Sequence, residues 1–460
     1  MTSKQGDRGG LNAEERRAAY ALSGIFSLRM LGLFLILPVF ALYAEGLPEH
    51  TPMLVGLAIG IYGLTQAVLQ IPFGMLSDRV GRKPVIVGGL LLFALGSVVA
   101  ASAETIHGII IGRALQGSGA IAAVIMALAA DLSREQRRLR MMAIIGISIG
   151  MAFAVALIMG PILNAWIGVP GIFWLTAVLA FAGIAIVLLV VPTPRESHRH
   201  RDAEAVPGQF GKVLSNKELL RLDLGILTLH MCLTAVFLAY PLALRDLGMP
   251  SESHWHVYLP VMLASMFLMV PFVIIAESKR HMRGVFLGGI TTLGLSVLLL
   301  FGFDHRMIAL VVALGLFFTA FNLLEATLPS LIAKVAPGQY KGTAMGVYSS
   351  SQFTGAFLGG VLGGWFHTHY GNPGVFLMCA GMILVWLLIA WGMSDPNYLS
   401  NYLLPVGSLD DQEIPEITAR LLAIEGVSEA VIIPEDGIAY LKVDLSVVDP
   451  DALDGYAALG

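Results

Sequence analysis

The densest group of ionisable side chains in this largely apolar sequence lies in the segment 74–83, which reads Gly-Met-Leu-Ser-Asp-Arg-Val-Gly-Arg-Lys. An apolar run ends there, Gly81 allows a tight turn, and another apolar run begins at Pro84. Basic side chains hold such a turn on the cytoplasmic side of a membrane, whereas the lone carboxylate, Asp78, needs a specific partner. The segment therefore predicts a membrane hairpin with its turn in the cytoplasm.

Four further ionisable side chains lie inside apolar stretches. Arg29 and Arg113 must face protein or water, because an arginine at bilayer depth costs at least ~2.5–3.5 kcal/mol. Glu325 lies near the middle of its stretch and is the main candidate for proton uptake, since burial favours the protonated form of a carboxyl group. Arg113 and His230 are the other candidates for proton coupling. The alternatives are a static ion pair of Glu325 with either arginine, a snorkelling Arg113 and a satisfied core histidine.

Uncharged polar side chains accompany these ions. Tyr62, Gln66 and Gln70 recur every four residues and form one stripe on an otherwise apolar helix. Gln116 and Asn322 each lie about one helical turn from one of the ions. We expect a substrate cavity that is lined by Arg29, Tyr62, Gln66, Gln116 and Asn322. The alternative for the stripe is hydrogen bonding between helices.

The composition requires that most of the surface faces lipid. The chain has 460 residues, of which 56% are hydrophobic and 13% charged, whereas soluble domains carry about 25% charged residues. The net charge of −4 gives no support to nucleic-acid binding. Two cysteines, both inside apolar runs, offer neither a disulfide framework nor metal-ligand spacing, so we predict no metal site and no cofactor. No nucleophile–base pattern, phosphate loop or zinc spacing indicates an enzyme.

Twelve apolar stretches are each close to the ~20 residues that a spanning helix needs. They are 21–44, 53–76, 84–103, 106–131, 141–166, 171–191, 221–247, 256–277, 284–302, 306–333, 343–368 and 373–393. A short amphipathic helix, with Asn12 as its N-cap, is predicted before the first stretch. With both termini in the cytoplasm, 24 of the 28 Lys and Arg residues lie inside, and only Arg245 and Arg306 lie outside. This asymmetry predicts that orientation.

The two halves of the chain repeat each other. Glu277 takes the position of Asp78, and the segments that begin at Met142 and at Met345 align without gaps. Parallel repeats of six helices indicate two bundles that rock about a central site. We place the bundles at 18–192 and 221–393, joined by a cytoplasmic linker at 193–220.

The composition changes after Met393, and residues 394–460 are predicted to form a linker and a separate cytoplasmic domain. The order β-α-β-β-α fits a small α+β domain of the ferredoxin-like type. Its strands are predicted at Tyr402–Val406, Val427–Ile433 and Ile438–Asp444, and its helices at Glu413–Glu425 and Asp449–Leu459. Acids outnumber bases in this tail, so docking on the basic cytoplasmic loops is one expectation and independent tumbling is the other.

Two motifs carry a family resemblance. The segment Gly74-x-x-x-Asp78-Arg79-x-Gly81-Arg82-Lys83 resembles the signature of the major facilitator superfamily, and Arg113-x-x-Gln116-Gly117 resembles its second motif. Gly160-Pro161 is similar to a motif of the superfamily's drug:proton antiporters, although Ile162-Leu163-Asn164 replaces the glycines that follow it. The tail resembles the heavy-metal-associated fold but contains no cysteine, so thiolate metal binding there is not predicted.

The resemblance implies an all-α membrane protein with twelve transmembrane helices in two six-helix bundles, followed by the small tail domain. It also implies that Asp78 caps the start of the eleventh helix and that Arg82 pairs with Asp131. A carboxylate at a helix N-terminus is stabilised by ~0.3–2 kcal/mol. Together with Gly74 and Gly81, these residues would form a conformational latch between the bundles. The alternative is an ordinary cytoplasmic turn.

The resulting hypothesis is a secondary active transporter of the bacterial inner membrane that is monomeric and binds protons and a small-molecule substrate. We expect proton-driven efflux of amphipathic or cationic compounds by alternating access. One alternative is a facilitator or proton symporter for a polar nutrient or an organic anion, which Arg29 and Arg113 would suit. The other is a non-transporting membrane sensor, which only the tail favours.

The latch hypothesis predicts that Asp78→Asn leaves membrane insertion intact but sharply reduces transport, because the amide lacks the charge that a helix N-terminus stabilises. Insertion is measured as the amount of protein in the membrane fraction, and transport as flux into proteoliposomes. Near-normal flux in the variant contradicts the latch.

Overall fold

The structure is a computed structural model that describes residues 11–193, 207–337, 340–394, 400–407, 412–434, 437–444, 447–449 and 452–453. The helices of its membrane part are α1 (Ala13–Phe34), α2 (Phe40–Ala44), α3 (Pro52–Val80), α4 (Arg82–Ala101), α5 (Ile106–Ser118), α6 (Ala122–Asp131), α7 (Glu135–Leu189), α8 (Phe210–Leu214), α9 (Lys217–Asp246), α10 (Trp255–Ser278), α11 (Met282–Phe303), α12 (Met307–Val335) and α13 (Lys341–Trp391). The tail contributes β1 (Ser400–Pro405), α14 (Ile414–Leu422), β2 (Val427–Ile433) and β3 (Ile438–Val443).

The number of spans follows from two kinked helices. Nine helical segments within the described ranges are long and apolar enough to cross a membrane, and two of them, in α7 and α13, have 50 and 51 residues. Each of these is interrupted by a non-helical glycine, Gly168 with φ 67° and Gly371 with φ 65°, and each glycine is followed two residues later by a proline. Counting α7 and α13 as two spans each, and adding α1, gives twelve spans. The predicted fold class is thereby confirmed.

Two spans differ from the expectation. The predicted amphipathic helix and the first span form one continuous helix, α1, in which the Asn12 side chain accepts a hydrogen bond from the backbone of Glu15 at 2.7 Å. The first span is then broken before α2, where Pro38 has no N–H to donate. The fourth span is broken between α5 and α6 at Gly119, where a Cβ atom would lie 2.2 Å from the Gly89 carbonyl oxygen.

The helices α1–α7 form one bundle, called the N bundle below, and α9–α13 form the C bundle. Contacts between the bundles are most extensive between α3 and α13. The end of the molecule that carries segment 74–83 is called the signature end. At the other end, the apolar core is continuous from α2, through the adjoining ends of α3, α4 and α5 and the middle of α7, into the C bundle. The two bundles are therefore closed against each other at the end opposite to the signature.

The tail is a three-stranded sheet with one helix. β3 lies between β1 and β2 and pairs antiparallel with both, so that Leu441 is opposite Tyr402 on one side and Ala430 on the other. A βαβ unit with a third strand inserted between its strands is half of a ferredoxin-like fold. Ile417 and Leu421 of α14 belong to the apolar core that covers one face of the sheet. Almost all of the predicted second helix, 449–459, lies outside the described residues.

The tail contacts the signature end of the C bundle through two cations. The guanidinium of Arg280, between α10 and α11, donates to the Asp444 carboxylate at 3.1 Å. The Lys442 ammonium donates to the carbonyl oxygens of Lys334 and Val335 at 3.1 and 3.4 Å. These carbonyls end α12, where helix carbonyls lack partners and attract cations. The tail is therefore docked on the C bundle.

Replacing Lys442 with methionine should loosen this docking, because the thioether cannot donate to the carbonyls that end α12. We expect amide hydrogen exchange in β3 and in the last turn of α12 to rise about twofold to fivefold. Mass spectrometry of the full chain measures this exchange. Glu416→Gln, on the exposed surface of α14, is the matched control, and equal exchange in both variants would show that Lys442 does not hold the tail.

Candidate functional site

The signature segment forms the turn between α3 and α4. Gly81 has a φ of 95°, a conformation that L side chains rarely adopt, so glycine is required there. The Ser77 carbonyl accepts the Gly81 N–H at 3.0 Å, and the Ser77 hydroxyl donates to the Gly74 carbonyl at 2.6 Å. This turn places Arg82 at the first position of α4.

Arg82 connects the charged residues of the turn. It is buried, and it donates from Nε to the Asp131 carboxylate at 3.1 Å and from Nη1 to the Ser77 hydroxyl at 2.7 Å. Nη1 also donates to the Asp78 carboxylate. Within the described part of the chain, Asp78 forms no hydrogen bond with α13. The structure thus brings Asp78, Arg82 and Asp131 together inside the N bundle, and the start of α13 is not part of their hydrogen-bonded cluster.

A second cluster lies inside the N bundle, between α1, α3 and α5. Arg29 donates to the Gln66 side-chain oxygen, and its guanidinium lies 5.8 Å from the centre of the Tyr62 ring. Arg113 lies 5.1 Å from the centre of the same ring and donates to the Gln116 side-chain oxygen at 2.8 Å. All five side chains are at most 2% exposed. The four N-bundle residues that were expected to line a cavity therefore lie together with Arg113, and in this state they are closed to solvent.

A third cluster joins three helices of the C bundle: His230 of α9, Glu325 of α12 and Gln352 of α13. His230 Nε2 lies 3.1 Å from Glu325 Oε2. The Gln352 amide nitrogen lies 2.8 Å from the same Nε2 and 3.1 Å from Glu325 Oε1. Two side chains that can bind a proton, an imidazole and a carboxyl group, therefore lie within hydrogen-bond distance of each other and of the Gln352 amide.

Two predicted residues lie apart from their expected partners. Asn322 donates to the Ser265 hydroxyl at 3.1 Å and so ties α12 to α10. Arg113 belongs to the N-bundle cluster and not to the one that contains His230 and Glu325. Among the described residues, Glu325 pairs with His230 and with neither Arg29 nor Arg113. The alternative of an ion pair between Glu325 and either arginine is therefore not seen in this structure.

Three residues of the C bundle were not recognised from the sequence. Gln352 is a polar residue in a glycine-rich helix, and the neighbouring Ser350 and Ser351 were a usable signal. Asp223, near the start of α9, is only 5% exposed, and neither carboxylate oxygen has a hydrogen-bond partner in the described ranges. Tyr348 lies within electrostatic range of both Asp223 and Glu325.

The backbones of α3 and α13 touch along a helix seam, formed by Gly56, Gly60 and Gly63 on α3 and by Phe353–Gly364 on α13. A Cβ atom at Gly56 would lie 2.0 Å from the Gly360 carbonyl oxygen, and one at Gly364 would lie 2.6 Å from that of Pro52. Small residues allow helices to approach this closely. The helix seam therefore depends on glycine at these positions.

Polar contacts extend the seam in both directions. Towards the signature end, the Ser350 hydroxyl of α13 accepts from the Gln70 amide at 2.7 Å and donates to the Ala67 carbonyl at 3.2 Å. At the opposite end, Arg245 of the C bundle forms an ion pair with Glu45 of the N bundle. Opening the molecule at the opposite end requires that these contacts separate.

We predict that Gly56→Leu prevents the seam from closing, because the new side chain meets the backbone of α13. Transport should be abolished, and a cysteine introduced at Ser350 should react faster with a membrane-impermeant maleimide from the opposite end. Gly88→Leu on α4 is the control, since nothing lies within 4 Å of a Cβ atom there. Identical labelling of both variants would contradict the role of the seam.

The chain is similar to known transporters along nearly its whole length. A model of the Major Facilitator Superfamily matches residues 22–349 and 261–403, and a model of the YajR YAM domain matches residues 404–449. The inner membrane transport protein YajR of Escherichia coli (strain K12) is 49% identical over 95% of this chain and 96% of that protein.

The chain is also similar, at lower identity, to a multidrug resistance protein and to a solved transporter structure. The multidrug resistance protein MdtH of Aeromonas salmonicida (strain A449) is 25% identical over 80% of this chain and 94% of that protein. The crystal structure of a mutant of the nucleoside transporter NupG matches with a TM-score of 0.64 and 14% identity, covering 81% of this chain and 99% of that one. At that identity the match shows a shared fold.

Proposed function

The chain belongs to the major facilitator superfamily and is a multi-pass membrane transporter rather than an enzyme, and we propose that it exports small organic compounds in exchange for protons. It acts as a monomer in the inner membrane, with both termini in the cytoplasm. Export is supported by the distant similarity to a protein named for multidrug resistance. The observation that carries the proposal is the contact of His230 with Glu325.

The cluster of His230, Glu325 and Gln352 has the chemistry of a proton-binding site. It places an imidazole beside a carboxyl group, and the Glu325 side chain is 37% exposed, so protons can reach it. Positioned acid–base groups exchange protons readily when they lie within hydrogen-bond distance. Release of a proton from this pair leaves a negative charge that a cationic group of the substrate can neutralise.

The position of Gln352 links this site to the movement of the bundles. Gln352 donates to Glu325, while its neighbours on α13 contact the N bundle: Ser350 binds Gln70, and the Phe353 ring lies 6.4 Å from that of Tyr62. A change of proton occupancy that rotates Gln352 therefore acts directly on the helix seam. Proton binding would therefore change the free energy of the closed state and of the open state by different amounts. Coupling of proton binding to the movement of the bundles requires such a difference.

We propose that the signature turn stabilises the other state, in which the end opposite to the signature is open. In this state the opposite end is closed and Asp78 is bound to Arg82. When the opposite end opens, we propose that the Asp78 carboxylate moves to the start of α13, where unpaired backbone N–H groups stabilise an anion. Each end of the molecule thus has contacts that form in only one of the two states.

The proposal predicts that Glu325→Gln keeps the fold but abolishes proton-coupled transport, because the amide cannot release a proton. Vesicles that contain the full chain and a pH-sensitive dye, tested with a panel of organic cations, anions and zwitterions, measure the coupling. The control is Glu252→Gln, in an exposed loop between α9 and α10. For an exporter, substrate addition releases protons from the vesicle lumen. Proton uptake would indicate a symporter, and full coupling in Glu325→Gln would overturn the assigned proton site.

A further inference from the structure

The N-bundle cluster holds two cations without counter-ions. Arg29 and Arg113 are each 2% exposed, and in the described part of the chain neither forms an ion pair. Their partners are neutral: side-chain oxygens of glutamine, the Tyr62 ring, and the carbonyl oxygens of Ala58 and Ile59, each 3.4 Å from Arg113. A buried charge without an opposite charge is costly, so such groups are normally paired.

The unpaired atoms of this cluster are hydrogen-bond donors. Nε and Nη1 of Arg29, the Gln66 amide nitrogen and the Tyr62 hydroxyl are all buried and have no hydrogen-bond partner among the described residues. Arginine offers only donors, and the amide nitrogen is also a donor. The Tyr62 hydroxyl can donate as well. A group that satisfies these atoms together must be an acceptor, and an anionic acceptor would also compensate the two guanidinium charges.

The walls of the cluster are apolar. Phe93 and Ala94 of α4 pack with Tyr62, and Leu33 and Phe353 border the same group. The Arg29 guanidinium lies 5.8 Å from the centre of the Phe93 ring. Such walls suit the organic body of a ligand better than the water shell of an inorganic ion. The contact with Phe353 also places the cluster directly behind the helix seam.

We propose that Arg29, Tyr62 and Gln66 bind the carboxylate of a small aromatic or amphipathic substrate, with Arg113 adding to the positive potential. The cluster is reached when α3 and α13 separate. This inference rests on the proposed function, because it names the class of compound that the transporter carries. It replaces a purely cationic substrate with one that bears an anionic group.

Exchange for protons restricts the class of substrate further. A carboxylate of the substrate can occupy the arginine cluster, and an amine of the substrate can take the place of a proton beside Glu325. The groups that face Glu325 are His230, Gln352 and, within electrostatic range, Tyr348, and none of them is a fixed cation. A compound that exchanges for protons while using the arginine cluster therefore carries both charges. The two sites together select a zwitterion.

Three matched probes test the cluster: benzoate, benzylamine and the zwitterion 4-(aminomethyl)benzoic acid. Thermal stabilisation of the detergent-solubilised full chain at constant pH measures binding. Benzoate and the zwitterion should stabilise the protein, and benzylamine should do so far less. Equal stabilisation by benzylamine and the zwitterion, no response to either carboxylate, or an equal response to sodium chloride would overturn the assignment.

Two variants locate the binding site. Arg29→Gln should weaken the affinity for benzoate about tenfold or more, because hydrogen bonds between the guanidinium and the carboxylate are lost. The concentration of benzoate needed for half of the maximal thermal stabilisation measures this affinity. Arg306→Gln, which changes an exposed arginine between α11 and α12, should respond like the unchanged protein. If Arg306→Gln loses the response as well, or Arg29→Gln keeps it, the carboxylate binds elsewhere.

Gln66→Glu gives a result even if Arg29→Gln does not fold. It supplies a carboxylate beside Arg29, so it should raise the melting temperature and abolish the response to benzoate. A lower melting temperature, or stabilisation by benzoate that persists in this variant, would show that the cluster does not bind an anion. These measurements involve no proton flux, so they remain valid if Glu325 proves unimportant for coupling. A negative result for benzoate binding would overturn the carboxylate site alone, and the proton-exchange proposal keeps its own test.

Discussion

The close approach of α3 and α13 is the constraint on which the rest of this structure depends. A Cβ atom at Gly56, Gly60 or Gly63 would lie within 2.8 Å of the α13 backbone, so the seam exists only because side chains are absent there. The seam closes one end of the molecule and covers the N-bundle cluster. The same helix α13 carries Gln352, which contacts Glu325. Packing at one helix pair thus covers the N-bundle cluster and positions the helix that contacts Glu325.

Away from the signature turn, the arginines and the carboxyl groups deep within the spans lie on different bundles. The N bundle contains the buried Arg29 and Arg113, and the C bundle contains the buried Asp223 and the partly exposed Glu325. Direct pairing of these opposite charges would fix the bundles in one relative position, because separating a buried ion pair is costly. Keeping them on separate bundles without direct contact leaves each charge to interact with a mobile partner. We regard this separation as a requirement for repeated movement between states.

Much of the fold could be predicted from the sequence, because the length of each apolar stretch reports directly on the spans. The breaks within spans were harder to foresee. Pro38 gave a local signal, but the break at Gly119 depends on how closely Gly89 approaches, which only the packed structure defines. Sequence also identified Arg29, Tyr62, Gln66 and Gln116 as polar residues that needed protein around them.

The pairings within the sites could not be predicted in the same way. Whether Glu325 meets an arginine or a histidine depends on how each helix is rotated about its axis, and periodicity does not determine that rotation. Asp223 illustrates the same limit, since it lies near the start of α9 and yet the packing of α9 buries it. For Gln352, the neighbouring serines mark a polar patch on a glycine-rich helix, but they do not show that its amide meets Glu325.

The docking of the tail has a consequence for how the molecule moves. Arg280, Lys334 and Val335, to which the tail is bound, all belong to the C bundle. If the bundles rock as proposed, the small domain would move with the C bundle, and its distance from the loop between α3 and α4 would change with the angle between the bundles. A rearrangement among the helices would then become a displacement of the sheet at the surface of the signature end.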